Sequence, residues 1–203
     1  MKSELRLLTD QIVRLEHSVS RSVSASTTVS EGIERARVLA MLARIPEALE
    51  LLESNLLKSR TESLVLQGRI HENREEWRTA IAHYDLAERQ LRTTSGRAGS
   101  ELEQQLLRGR AFCWRRVGHV TAAETDYLKL LQCNPSASSH YLLALFYDDV
   151  QNATAAMNHA RAAERLDSRN FQEASRQLIR NLQDSHFGCF SVYWRSGGRW
   201  APR

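Results

Sequence analysis

The chain has 203 residues, 42% of them hydrophobic, and a formal net charge of +4 from 28 basic and 24 acidic side chains. That length suits one compact domain or a short array of repeats with a real core, and no apolar run approaches the roughly 20 residues that would span a bilayer. Arg195, Arg199 and Arg203 supply three of the four excess charges, so the body is close to neutral, which argues against a nucleic-acid binder, as the missing apolar run argues against a membrane protein.

The opening MKSELRLLTDQIVRLEHS lacks the apolar centre of a secretory signal, so a soluble cytoplasmic protein is expected. Within residues 1–17 and just beyond, Leu5, Leu8, Ile12, Leu15 and Val19 recur at intervals of three and four, the stripe of an amphipathic helix. Such a stripe packs on the rest of the chain or pairs two copies in a homodimer. Residues 18–30 are rich in Ser and Thr and read as a linker.

From residue 31 to 183 the useful signal is internal similarity. Ala111 is followed at +3, +12, +16, +19 and +24 by Trp114, Ala123, Tyr127, Leu130 and Pro135, with a turn at Gly118 between. Gly68 starts the same pattern with His71, Ala80, Tyr84 and Ala87, and Ala144 starts it with Tyr147, Ala156, Ala160 and Ala163. A looser copy runs from Ala36 through Leu39, Ala48 and Leu52, with Pro46 suited to the first turn of its second helix. The polar stretch 92–101 is an insertion between copies.

These residues resemble the tetratricopeptide repeat (TPR) family, whose unit of about 34 residues pairs two helices. Small residues let the two backbones approach while aromatics fill the space beside them. The resemblance implies an all-α fold, an α-solenoid of TPR-like helical hairpins preceded by the amphipathic helix. A capping helix should close the array, and Phe171, Ala174, Leu178 and Leu182 lie on one face of a suitable segment. Residues 184–203 are aromatic and basic and leave the helical period; a poorly ordered tail is expected, with a strand open for CFSVYW.

In arrays of this family the first helices of successive pairs line a groove. The repeat frame places there Ser30, Ile33, Arg37, Ala40 and Met41, then Glu62, Val65, Arg69, Glu72 and Asn73. It adds Gln105, Arg108, Phe112, Arg115 and Arg116, then Ser138, Tyr141, Leu145, Asp148 and Asp149. The arginines crowded into residues 108–116 therefore need not be buried. Arg37, Arg69, Arg108, Arg115 and Arg116 would suit carboxylates or phosphates, and Phe112 and Tyr141 would hold an apolar side chain. Glu62 and Glu72 would neutralise Arg69 in a merely solvated face. The positions that clamp the acidic tails of chaperones in related cochaperones hold Ile33, Arg37, Leu66, Gln105 and Gly109, which does not match.

No catalytic or cofactor motif appears, and the seven histidines form no metal-ligand pattern. Cys113, Cys133 and Cys189 are odd in number and lack a C-x-x-C pair, so reduced thiols are expected, with no metal and no cofactor. The resulting expectation is a non-catalytic protein–protein interaction module, an adaptor or scaffold that binds a partner segment, acidic in character, in its groove. One alternative is a dedicated chaperone for a single client, similar to the small TPR chaperones of type III secretion. Another is RNA binding through the basic tail.

Overall fold

The computed structural model describes residues 29–54, 57–93 and 101–195, of which 184–195 as backbone only. The stripe of residues 1–17, and with it the choice between packing on the same chain and pairing two copies, lies outside the described residues, as does most of 18–30. The described residues form nine helices and no strand: α1 (Val29–Met41), α2 (Ile45–Leu52), α3 (Thr61–Asn73), α4 (Trp77–Thr93), α5 (Glu101–Val117), α6 (Val120–Cys133), α7 (Ala137–Asp149), α8 (Ala153–Leu166) and α9 (Ser168–Arg195). None of them is long and apolar enough to cross a membrane.

The helices divide into two units between Val117 and Gly118. In the first, α1 packs on α2 and α3 packs on α4, while α3 also touches α1 and α5 packs on both α3 and α4. In the second, α7 packs on α8, α6 packs on α7, and α9 lies against α8 and α7.

The small anchors explain the hairpins. Ala36 with Ala48 and Ala144 with Ala156 are fully buried, as is Ala80 opposite the buried Gly68. Without bulk at these crossings the two helix backbones approach closely, and the larger residues four further along, Leu52 and Tyr84, close the remaining space. In the first unit Ile33, Leu39, Leu57, Leu66 and Ile70 complete a core around Ala36, Ala48 and Leu52.

The turns repeat as regularly as the helices. The residue seven after each anchor is left-handed: Ala43 (φ 61), Glu75 (φ 60), Gly118 (φ 87) and Gln151 (φ 60). In three of them the next residue donates its N–H back across the helix end, Arg44 to Leu39 at 2.9 Å, Glu76 to His71 at 2.9 Å and Asn152 to Tyr147 at 2.8 Å. Such bonds satisfy carbonyls that the helix leaves open and hold each turn tight. Only Gly118 takes this conformation without a steric cost.

The cap is present in α9, where Leu178 and Leu182 bury against Ala144, Ala153, Ala156 and Ala160. That helix runs on to Arg195, so residues 189–194, for which a strand is open in the sequence, are helical. No proline stands between Ser168 and Arg195 to stop it, which is why the backbone continues past the point where the apolar period fades.

Candidate functional site

The first helices of the first unit, α1, α3 and α5, turn their anchors inward, and the residues three or four away on each helix emerge together on one side. They enclose a cleft of about 380 Å³. Ser30, Ile33, Glu34 and Arg37 line it from α1, Glu62, Val65, Leu66 and Arg69 from α3, and Glu101, Leu102 and Gln105 from α5. Because the N-terminal halves of all three helices contribute, the three run side by side in one direction.

Of the residues that the repeat frame assigns to a groove, Ser30, Ile33, Arg37, Glu62, Val65, Arg69 and Gln105 meet in this cleft, whereas Ala40, Met41, Glu72, Asn73 and Arg108 do not line it. Glu34, Leu66, Glu101 and Leu102 are additional. The signal that could have found the acids is their regularity: each of these three helices carries one in its first or second turn, where the helix dipole favours a negative charge.

The charges are mixed. Arg37 donates to Glu34 at 2.6 Å one turn away, so that pair largely satisfies itself. Arg69 and Arg108 are exposed and both act on Glu72, which is half-buried. Burial raises the pKa of Glu72 above the ordinary carboxylate value, against the opposing pull of its Tyr84 hydrogen bond and of the two guanidinium groups. Tyr84 donates its hydroxyl to Glu72 at 2.7 Å. Its ring lies between two glycines: a Cβ on Gly68 would come within 2.7 Å of it, and one on Gly109 within 2.6 Å of Cζ. The tyrosine thus fixes the carboxylate between α3, α4 and α5.

The remaining predicted residues sit elsewhere. Phe112 meets Trp77 edge to face at 5.7 Å, with the Arg115 guanidinium 5.4 Å from the Phe112 ring and that of Arg116 5.3 Å from the Trp77 ring. Neither Phe112 nor these two arginines lines the cleft. Tyr141, in the second unit, packs against Phe171 of the cap at 5.5 Å. One arginine of the 108–116 cluster departs from expectation. Arg110 is buried, because its guanidinium pairs with Asp85 at 2.8 Å and Glu88 at 2.6 Å on α4, satisfying a charge that could not otherwise leave water.

Two histidine pairs also form. His71 stacks on His83 at 5.1 Å and bonds Glu76 through Nδ1 at 2.6 Å. His140 and His159 bring their Nδ1 atoms to 3.0 Å, and His159 stacks on Tyr147 at 5.5 Å. No group of three or more metal-ligating side chains is found among the described residues.

No family model and no curated protein matches the chain. Solved structures do. The chain is similar to BtubC from P. vanneervenii at 15% identity and a TM-score of 0.68, covering 98% of this chain and 94% of that one. It is similar to TTC0263, a thermophilic TPR protein of Thermus thermophilus, at 13% identity and a TM-score of 0.64, with 88% and 98% covered. It is similar to a chain of the anaphase-promoting-complex hetero-tetramer Cut9–Hcn1 at 18% identity and a TM-score of 0.65, covering 76% of this chain but only 30% of that one. With helical hairpins of one repeating register in both units and these structural neighbours, the chain has the tetratricopeptide-repeat fold.

Proposed function

We propose that this protein is a non-catalytic interaction module that holds a segment of a partner polypeptide in the cleft between α1, α3 and α5. The observation that carries the reading is the cleft itself. Helices α1 and α3 place a buried apolar floor, Ile33, Val65 and Leu66, beneath a rim of exposed charged groups to which α1, α3 and α5 all contribute. Such a floor rewards apolar side chains with about 25 cal/mol per Å² covered, and the rim supplies orientation through charge-assisted hydrogen bonds. The rim combines three carboxylates with two guanidinium groups, so it does not select for acid alone.

A photo-crosslinking residue at Gln105 should capture a partner polypeptide in cells, and the same residue at exposed Arg89 on α4, outside the cleft, should not. Ser30→Trp with Gln105→Trp fills the cleft and should abolish binding of the captured partner while circular dichroism stays native. Equal capture at both positions, or binding that survives the filled cleft, would overturn the reading. Co-expression of the captured partner separates an adaptor from a dedicated chaperone: a client soluble only in company of this chain supports the chaperone.

A further inference from the structure

The cleft has a polarity that its inventory of charges conceals. Glu34, Glu62 and Glu101 line it from three adjacent helices and form a row of carboxylates near the helix N-termini. Further along the same helices stand Arg37 and Arg69, which line it too, and Arg108, exposed just beyond the lining. On α3 and on α5 the acid and the arginine are seven residues apart, two turns or about 10 Å. That distance is too long for direct pairing, and it matches the width of one helix. Ile33, Val65 and Leu102 lie among these charges.

Resting on the reading of the cleft as a binding surface, we infer that its occupant is an amphipathic segment of a separate polypeptide, apolar below, basic along one edge and acidic along the other. The basic edge lies along Glu62 and Glu101, and the acidic edge along Arg69, with exposed Arg108 on α5 one turn beyond the residues that line the cleft. The α1 pair adds less, since Glu34 and Arg37 already bond each other. Glu72 sits with Arg69 and Arg108 and is held by Tyr84, so it tempers the basic row while both guanidinium groups stay exposed. The acid row also costs the fold little, because it lies where three parallel helix dipoles present their positive ends. With axes 8–10 Å apart, three helices span about 20 Å, which some 13 residues of an occupant helix would cross. The two rows also fix its direction, because a reversed segment would set like charges against each other.

The test uses the full chain and three synthetic helical peptides of about 16 residues with one shared leucine stripe. One peptide has Lys along one edge and Glu along the other; the others carry only Glu or only Lys. Isothermal titration should show the segregated peptide binding about ten-fold more tightly than either single-sign peptide. Glu62→Lys with Glu101→Lys should transfer that preference to the all-Glu peptide. Equal affinity for all three, a preference of the native chain for a single-sign peptide, or a ranking that the charge reversal leaves unchanged would overturn the inference. If a single-sign peptide binds and the filled cleft abolishes it, the cleft reading stands and only the charge polarity falls. If none of the three binds at millimolar concentration, both fall. A more than ten-fold gain in affinity from Leu8→Asp with Ile12→Asp would assign the cleft to the chain's own first residues and overturn the separate partner.

Discussion

The ring of Tyr84 fills the space that a side chain on Gly109 would need, a Cβ there falling 2.6 Å from Cζ. The contact joins α4 to α5, and through the hydroxyl it also fixes Glu72 of α3. Gly109→Ala should therefore destabilise the first unit by about 1–3 kcal/mol through overpacking. Tyr84→Phe should relieve only part of that cost, since the ring carbon remains in place. Urea denaturation of the single and double variants measures both, and a Gly109→Ala variant as stable as the native chain would show that Tyr84 can move aside.

The repeated left-handed turns offer a stabilising change. Gln151 and Glu75 hold φ near 60° without being glycine, at the register where the residue after α5 is Gly118. Gln151→Gly should raise stability by about 0.5–1 kcal/mol, because relief of the Cβ clash outweighs the added freedom of the unfolded chain. Gly118→Ala should lower it by a similar amount. Thermal unfolding gives the sign of each.

Arg110 holds the far side of the α4–α5 contact. Burial pushes the Glu88 carboxyl up, but the hydrogen bonds and charges of Arg110 and Arg92 outweigh it and hold the pKa at about 2, below the ordinary 4.5. A depressed carboxyl contributes stability that is present above pH 4.5 and is lost as the pH falls toward 2. Glu88→Gln should flatten acid unfolding across that window, at a cost near neutral pH of about 1 kcal/mol because Glu88 is partly solvated. Arg110→Met should cost more, about 1–3 kcal/mol, since it strands two carboxylates. A flat acid profile in the native chain would contradict the assignment.

The His140–His159 pair predicts sensitivity in the second unit at milder acidity. Burial lowers both pKa values, helped by Arg165 for His140 and by His140 for His159, and both start from 6.5. A histidine with a depressed value favours the fold above pH 6.5, and that contribution is lost as the pH falls from there. His159→Phe keeps the stacking on Tyr147 while removing the titrating group, so its melting temperature should vary less between pH 7 and 5. Unchanged pH dependence in that variant would exclude the pair as its source.

Much of the fold is legible from residue spacing alone. The intervals from Ala36, Gly68 and Ala144 mark helix pairs because a hairpin is a local structure: small residues twelve apart must face each other wherever a short turn folds the chain back. The stripe through Leu178 and Leu182 announces a cap for the same local reason. The site is different, since it depends on which helices become neighbours. Arg108 and Arg110 stand two residues apart on one helix, yet one is exposed and the other buried between Asp85 and Glu88, 25 and 22 positions away. Phe112 reads as a groove anchor in the sequence, and the fold sets it edge to face against Trp77, outside the lining of the cleft. Glu34, Glu62 and Glu101 are ordinary first- or second-turn acids in the sequence, and only the packing of α1, α3 and α5 side by side sets them in a row. Residue order decides what each helix can offer its surroundings; the juxtaposition of distant helices decides which offers are taken up by the fold and which are left for a partner.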